Sequence, residues 1–249
     1  MSNKIRADEL MVHLKLVDSR TKAQACILAG QVRSKNEKIQ KSSQLLSIDS
    51  ELFLENPMPY VGRGGLKMEN FLLEAKWPVQ GLNFLDLGAS TGGFTDCLLQ
   101  KGARSATCVD VGRGQLHYKL RIDKRVTNLE KTNLRTLNKD DLPYCSYPLV
   151  VMDLSFISLQ KVLINAWQFV EKKGRLAALV KPQFECKKAE ADMGRGIIKD
   201  RTIHQRVLGE IKEFASNKLI ESSLIFETTA KPCGNDGNTE FFLAWQKPN

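Results

Sequence analysis

Five short apolar runs alternate with helix-like stretches from residue 82 onward, and this alternation constrains the fold more than any other feature. The runs cover 82–88, 106–110, 126–129, 148–153 and 176–181. Helical spacing of apolar residues predicts helices at 94–100, 157–170 and 202–216. Short strands joined by helices predict a doubly wound α/β sheet, in which the strands are parallel and helices cover both faces.

Two further apolar segments, 222–227 and 240–245, flank a turn of Gly234-Asn-Asp-Gly237. This pattern predicts a C-terminal antiparallel hairpin. The expected fold is therefore a Rossmann-like, mostly parallel sheet of seven strands that ends in an antiparallel pair.

The first 59 residues have a different character and predict a small α+β domain. A helix is expected from Ala7, and a second one follows a cap at Asp18 or Ser19 and stops at Gly30. Residues 31–41 alternate like a short basic hairpin. Prolines and glycines then predict an interdomain linker at 60–67, so that the larger domain is expected to span 68–249.

Charge and cysteine usage narrow the possible functions. The net charge is +9; nine Lys/Arg against four acids lie in 1–41, and nine against three in 101–135. Two separate basic clusters favour a nucleic-acid partner; the alternative is that they are ordinary solvent-exposed faces.

The six cysteines form no Cys-x-x-Cys pair, so neither disulfides nor a metal site is expected. No apolar run predicts a membrane span or a secretory signal, and a cytoplasmic location is expected. The oligomeric state stays open.

A glycine-rich loop, Asp86-Leu-Gly-Ala-Ser-Thr-Gly-Gly-Phe94, follows the first strand, and Asp110 ends the second. Glycines allow the tight turn, and an acid after the second strand can accept ribose hydroxyls. The loop lacks the Gly-x-Gly-x-x-Gly of dinucleotide sites, so S-adenosylmethionine is the expected cofactor, and a generic turn is the alternative. The candidate cofactor residues are Asp86, Gly88, Ala89, Ser90, Gly92, Gly93, Phe94, Asp110, Val111 and Asp153.

Four candidate catalytic residues, Lys67, Asp153, Lys181 and Glu240, lie beside glycine-rich turns or at strand ends. The chain lacks the Asn/Asp-Pro-Pro-Tyr motif that is typical of amino-group methylation. It also has no cysteine at a strand end, which carbon-5 methylation of cytosine needs as a nucleophile. An oxygen atom is therefore the remaining methyl acceptor. Lys181 is the expected base and Lys67 the neighbouring cation that favours its neutral form, while the two acids orient the lysines and the hydroxyl. Unrelated surface salt bridges are the alternative.

The chain resembles the TlyA, or haemolysin A-like, family of ribosomal RNA 2′-O-methyltransferases and, more distantly, the FtsJ group. The resemblance rests on Tyr60-Val-Gly-Arg-Gly-Gly-Leu-Lys67, the glycine loop, Asp153-Leu-Ser-Phe-Ile-Ser-Leu159, Val180-Lys-Pro-Gln-Phe-Glu185 and Gly237-Asn-Thr-Glu240. It implies that the four residues form a catalytic tetrad. It also implies that the acceptor is a cytidine ribose in large-subunit ribosomal RNA, with small-subunit RNA as a further candidate.

Residues 4–48 resemble the αL RNA-binding motif, which implies that the N-terminal domain contacts ribosomal RNA or a ribosomal subunit. The candidate RNA-binding residues are Arg6, Arg20, Lys22, Arg33, Lys35 and Arg63. A protein-docking appendage is the alternative for this domain. For the whole chain, the alternatives are a non-catalytic assembly factor and a haemolysin; the apolar flank of 157–170 is better explained by packing on the sheet than by lysis.

Overall fold

The computed structural model describes residues 4–35, 37–55, 58–234 and 237–249. The chain divides into two compact units, Met1–Pro59 and Tyr60–Asn249. We call them the N-terminal unit and, after the four candidate catalytic residues that it contains, the catalytic unit, and we describe each by itself.

The described residues of the N-terminal unit form two helices and two small antiparallel sheets. Its elements are β1 Lys4–Arg6, α1 Ala7–His13, α2 Arg20–Leu28, β2 Val32–Ser34, β3 Glu37–Lys38, β4 Leu45–Ser47 and β5 Leu52–Leu54. Strand β1 pairs with β4, and β2 lies between β3 and β5. Ser19 caps α2, since its hydroxyl accepts a hydrogen bond from the backbone N–H of Lys22 at 3.3 Å. The helices bury Leu10, Met11 and Ile27 in one small core.

The catalytic unit is built on a seven-stranded sheet, as the sequence predicts. Its strands are β6 Asn83–Leu87, β7 Ser105–Val109, β8 Val126–Leu129, β9 Tyr147–Met152, β10 Val170–Val180, β11 Ser223–Thr229 and β12 Phe241–Gln246. Their spatial order is β11-β12-β10-β9-β6-β7-β8. The five strands from β10 to β8 are parallel, and β12 runs antiparallel between β10 and β11. The strand order reverses at β6, where ligands bind beyond the carboxyl ends of such strands.

Helices cover both faces of this sheet and bury one apolar core on each. They are α3 Gly64–Ala75, α4 Gly93–Gln100, α5 Tyr118–Arg121, α6 Leu163–Trp167, α7 Pro182–Glu185, α8 Lys188–Met193 and α9 Arg201–Lys218. One core contains Phe71 of α3, Leu98 of α4 and Phe242 of β12. The other contains Val207 and Ile211, which lie four residues apart on one side of α9.

The segment 60–67, predicted as a linker, instead belongs to the catalytic unit. Helix α3 begins at Gly64, and Tyr60, Gly65 and Lys67 are buried. A Cβ atom on Gly93 would lie only 2.9 Å from the backbone nitrogen of Gly65, so the start of α3 packs closely against the start of α4. The glycines therefore serve this close approach between helices rather than flexibility.

The long helix predicted at 157–170 is wrong. The structure has a short 3₁₀ turn, Leu159–Lys161, and a five-residue helix, α6, with a break at Val162, where φ is −135°. Strand β10 already begins at Val170, which pairs with Tyr147, and its register shifts before Arg175. Sheet hydrogen bonding thus overrides helical spacing at the end of this segment. No helix among the described residues is long and apolar enough to cross a membrane.

Candidate active site

The four candidate catalytic residues line one cavity of about 510 Å³. Asp153 directly follows β9 and Lys181 directly follows β10, so both lie at the carboxyl ends of neighbouring parallel strands. Glu240 precedes β12, whose first residue pairs with the last residue of β10. Lys67 comes from α3. The topology therefore brings together residues that are up to 173 positions apart in the chain.

Lys67 and Glu240 form a buried ion pair. The lysine Nζ donates to Glu240 Oε2 at 2.5 Å, and the two residues are 8% and 3% exposed. Because each charge is almost removed from water, each depends on the other for its stability. The pair ties the second turn of α3 to the start of β12.

Lys181 and Asp153 form the second ion pair. Lys181 Nζ lies 2.6 Å from Asp153 Oδ1 and donates a hydrogen bond to Ser155 Oγ at 3.1 Å. No donor is aligned for a hydrogen bond to Asp153 Oδ1 among the described residues, so charge attraction holds this pair. The lysines are thus separately neutralised: each has its own carboxylate within the same cavity.

Two aromatic rings lie at the mouth of this cavity. Phe156 is 91% exposed and has φ of 63°, a left-handed conformation that is unfavourable for a phenylalanine. Its ring centroid lies 5.1 Å from that of Phe184, and Lys181 Nζ lies 5.9 Å from the Phe184 ring. A large apolar ring held in water beside a polar cavity is suited to contact a flat ligand.

A second cavity, of about 550 Å³, adjoins the first and shares Ser90, Asp153, Ser155 and Phe156 with it. Its other walls are mostly apolar and include Leu87, Val109, Val111, Leu134, Leu154 and Ile157. This lining and size are suited to an adenosyl group. Because the cavities share Asp153, a donor in one and an acceptor in the other would meet beside Lys181.

Asp110 lines the second cavity, but its carboxylate already organises the backbone around it. Oδ2 accepts from the N–H of Ser90 at 2.8 Å, and Oδ1 accepts from the N–H of Gly112 at 2.7 Å. Each carboxylate oxygen can accept a second hydrogen bond. The predicted contact with ribose hydroxyls is therefore compatible with the additional role of holding two loops. Val111 follows it and is 74% exposed.

The glycine loop has the backbone geometry that its sequence predicts. Gly88 has φ of +85°, and a Cβ there would lie 2.7 Å from the carbonyl oxygen of Asp153. Gly92 has φ of +92° and packs against Leu116 and Leu120. Ala89, Gly93 and Phe94 are buried, and Ser90 is exposed with φ of 47°. The loop can therefore pass close to the strand that supplies Asp153.

Asp86 has an unusual environment for a carboxylate. It is 1% exposed, and its Oδ2 accepts a hydrogen bond from Thr95 Oγ1 at 2.6 Å. Its Oδ1 is buried and has no hydrogen-bond partner in the described part of the chain. Burial and, to a smaller extent, the charge of Asp153 raise the pKa of Asp86 to about 7 against the opposing effect of Thr95. An unsatisfied acceptor beside Gly88 and Asp153 fits the cationic amino group of an S-adenosylmethionine molecule.

The predicted RNA-binding residues have mixed environments. Arg6 and Arg20 both contact the buried carboxylate of Asp8, Arg6 at 2.9 Å and Arg20 at 3.4 Å. These contacts lower the pKa of Asp8, and the hydrogen bond from Arg6 is the largest cause. The two arginine side chains are 35% and 52% exposed, so they also keep a face toward water.

The remaining predicted RNA-binding residues lie at the surface. Lys22 pairs with Asp18 at 2.8 Å, Arg33 pairs with Glu55, and Lys35 is exposed. Arg63, in the catalytic unit, donates to the carbonyl oxygen of Cys233 at 2.8 Å and lines the first cavity.

Several residues in the cavity were not predicted from the sequence. Ser155, Phe156 and Gln183 lie in motifs that were recognised, but only the charged members of those motifs were assigned roles. Asn238 also lines the cavity; its Oδ1 accepts from the N–H of Ile198 at 2.8 Å. It thereby holds the loop after α8 next to Glu240. No group of three or more metal-ligating side chains occurs among the residues that the structure describes.

Comparison with known proteins gives a consistent result. The FtsJ-like methyltransferase family matches residues 60–247. YqxC of Bacillus subtilis, described as a candidate rRNA methyltransferase, is 39% identical over 97% of this chain and 85% of its own length. TlyA of Mycobacterium tuberculosis, named a 16S/23S rRNA (cytidine-2′-O)-methyltransferase, is 36% identical over 98% of this chain and 90% of its own. A solved structure from Streptococcus thermophilus, described as a hemolysin candidate, has a TM-score of 0.75 and 34% identity, covering 100% of this chain and 90% of that one.

Proposed function

The chain belongs to the FtsJ-like methyltransferase family, and we propose that it transfers a methyl group from S-adenosylmethionine to the 2′-hydroxyl of a cytidine in ribosomal RNA. The observation that carries this proposal is the pair of joined cavities: Asp153 lines both, and Lys181 lies 2.6 Å from it. The relative TlyA, which matches nearly the whole chain, is named for this reaction.

Lys181 is the proposed base. A ribose hydroxyl becomes a good nucleophile only when it loses its proton, and Lys181 Nζ accepts that proton in its neutral form. Lys67, whose charge is balanced by Glu240, lines the same cavity. S-adenosylmethionine, when bound, supplies an electrophilic methyl group on a positively charged sulfur.

The other residues position the reactants. Asp153 and Ser155 fix the direction of the Lys181 side chain, and the buried pair of Lys67 and Glu240 forms another part of the cavity wall. Methyl transfer requires the oxygen, carbon and sulfur to lie in line, so holding the ribose in this geometry supplies a large part of the rate. Phe156 is the proposed stacking surface for the target base, because its ring is exposed and lines both cavities.

The N-terminal unit is proposed to bind the RNA around the target. Lys22, Arg33 and Lys35 are the proposed phosphate contacts, together with the water-facing edges of Arg6 and Arg20. This assignment rests on the resemblance to the αL motif and on the basic charge of residues 1–41. Ribosomal RNA as substrate also implies action in the cytoplasm.

The test is to map ribose methyl groups by mass spectrometry in ribosomal RNA from a strain that lacks the gene and from its parent. The proposal predicts that one or more 2′-O-methylcytidines disappear and return when the wild-type gene is restored. Restoring the gene with Lys181→Ala should not bring them back. If the methylation pattern of the deletion strain is identical to that of the parent, the proposed function is wrong.

A further inference from the structure

The segment 111–135 of the catalytic unit forms a basic surface, and the reaction described above assigns no role to its charged side chains. It contains seven Lys/Arg and two acids, so it holds much of the excess charge of the chain. One of the acids, Asp123, is already paired with Arg125 at 2.7 Å. The excess of positive charge is therefore not compensated within the segment.

Three cations of this segment lie near one acid without forming an ion pair with it. The pKa of Glu130 is lowered mainly by hydrogen bonds from the backbone of Gly114 and from Asn128, and further by the charges of Arg121 and Arg113. Lys131 follows Glu130 and is exposed. No carboxylate of the described residues forms an ion pair with Arg113, Arg121 or Lys131. By contrast, Lys119 forms an ion pair with Asp96, with 3.0 Å between Nζ and Oδ1.

Exposed apolar side chains alternate with these cations. Tyr118 is 64% exposed and Ile122 is 61% exposed, and the guanidinium of Arg121 lies 5.9 Å from the Tyr118 ring centroid. An exposed aromatic ring between cations can stack on a base, while the cations contact phosphates. This combination distinguishes the surface from an ordinary solvated charged face.

The surface is anchored to the glycine loop. Leu116 and Leu120 are buried against Gly92, and the N–H of His117 donates to the carbonyl oxygen of Thr91 at 3.1 Å. The N–H of Lys131 donates to the carbonyl oxygen of Gly112 at 3.0 Å, which joins the two ends of the segment. Its charges are therefore held in place rather than carried on a loose loop.

The surface is also continuous with the rim of the second cavity, because Val111, Gln115 and Arg135 line that cavity. We propose that Arg113, Tyr118, Arg121 and Lys131 form an RNA-docking surface of the catalytic unit, which binds the phosphates and one base of the strand that carries the target nucleotide. This inference rests on the proposed function and adds a second contact to that of the N-terminal unit. It assigns this surface to RNA rather than to a protein because the cations are unpaired and interleaved with an exposed ring.

The test compares the wild type with the triple variant Arg113→Gln/Arg121→Gln/Lys131→Gln. The matched control, Lys172→Gln/Lys173→Gln/Lys218→Gln, removes the same charge from exposed positions outside this segment, at the start of β10 and the end of α9. The substrates are ribosomal subunits purified from a strain lacking the gene. The measurements are kcat, KM and RNA affinity from 50 to 200 mM salt, together with S-adenosylmethionine affinity by calorimetry.

We expect the triple variant to show a KM for subunits that is raised severalfold, with kcat and S-adenosylmethionine affinity unchanged. The slope of log K against log salt should become shallower by about 2 to 3, roughly one for each lost phosphate contact, whereas the control keeps the wild-type slope. An equal slope and KM in both variants would overturn the inference. So would a loss of S-adenosylmethionine affinity in the triple variant, since the segment would then support the cofactor cavity. If the wild type itself neither binds nor methylates the subunits, the proposed function fails and this inference fails with it.

Discussion

The buried pair of Lys67 and Glu240 gives the sharpest prediction about how the site is held together. Glu240→Gln keeps the shape of the side chain but leaves the ammonium of Lys67 in a place where it is only 8% exposed and has lost its counter-charge. Removing one partner of a buried pair costs about 3 to 5 kcal/mol in the free energy of unfolding. For a domain of this size, each kcal/mol lowers the melting temperature by about 2 to 4 °C, so the expected fall is roughly 6 to 20 °C.

The double variant Lys67→Met/Glu240→Gln removes both charges, and we expect it to recover much of this loss, because no unpaired charge remains buried. The matched control is Glu227→Gln, which breaks the pair with Lys212; both side chains are more than a third exposed. That change should cost less than about 1 kcal/mol. Both variants at Glu240 should be inactive, since the wall of the reaction cavity has changed.

Urea unfolding followed by tryptophan fluorescence is a suitable assay, because all three tryptophans, Trp77, Trp167 and Trp245, lie in the catalytic unit. The fluorescence transition therefore reports on the unit that contains the pair. If Glu240→Gln were as stable as Glu227→Gln, and if the effects of Lys67→Met and Glu240→Gln were additive, the two charges would not depend on one another and the reasoning would be wrong.

Three further predictions concern single side chains. The pKa of Asp86 is about 7 in the folded protein and about 4 in an unfolded chain, so the folded state binds the extra proton between these values and its free energy of unfolding falls as the pH rises from about 4 to about 7. Asp86→Asn should flatten that decline in urea titrations, and an unchanged pH profile would contradict the assignment. Phe156→Gly should leave stability within about 1 kcal/mol of wild type, because relief of the unfavourable φ offsets the greater freedom of glycine in the unfolded chain. It should nevertheless raise the KM for RNA by about fivefold or more, since stacking on a base is worth about 1 to 3 kcal/mol; an unchanged KM would exclude stacking. Glu185 Oε1 accepts the N–H of Leu159 at 2.7 Å and so ties the segment after Asp153 to the helix after Lys181. Glu185→Ala should lower kcat and speed amide hydrogen exchange at Leu159, whereas Glu185→Gln, which keeps an acceptor, should retain most of the activity; equal activity of the two variants would show that this tie is unnecessary.

Much of the fold could be predicted because its signals are local. The apolar runs that end at Leu87, Val109 and Met152 are bounded by glycine or aspartate, and each became a central parallel strand. The C-terminal hairpin was also predictable, since two apolar segments flank an obvious turn. The same topology rule that places sites beyond strand ends then brings Asp153 and Lys181 together.

The rest could not be predicted because it depends on contacts between distant segments. Gly64 and Gly65 read as a flexible linker, but they begin a helix because α4 packs closely against them. The sequence indicated two amines and two acids in one crevice, but not that Lys67 pairs with Glu240 and Lys181 with Asp153. Likewise, the spacing of residues along the chain does not show that Asp8 is buried and forms ion pairs with Arg6 and Arg20. Two of the predicted RNA contacts therefore also neutralise a buried carboxylate in their own unit.

The central claim is that Lys181 enables methyl transfer to a ribose oxygen. The most direct measurement uses purified protein, ribosomal subunits from a strain lacking the gene, and S-adenosylmethionine with an isotopically labelled methyl group, followed by mass spectrometry of the released nucleosides. The label should appear on the ribose of cytidine with the wild type and be absent with Lys181→Ala, while that variant still binds the cofactor and the subunits. Label on a base, or undiminished ribose labelling by Lys181→Ala, would contradict the claim.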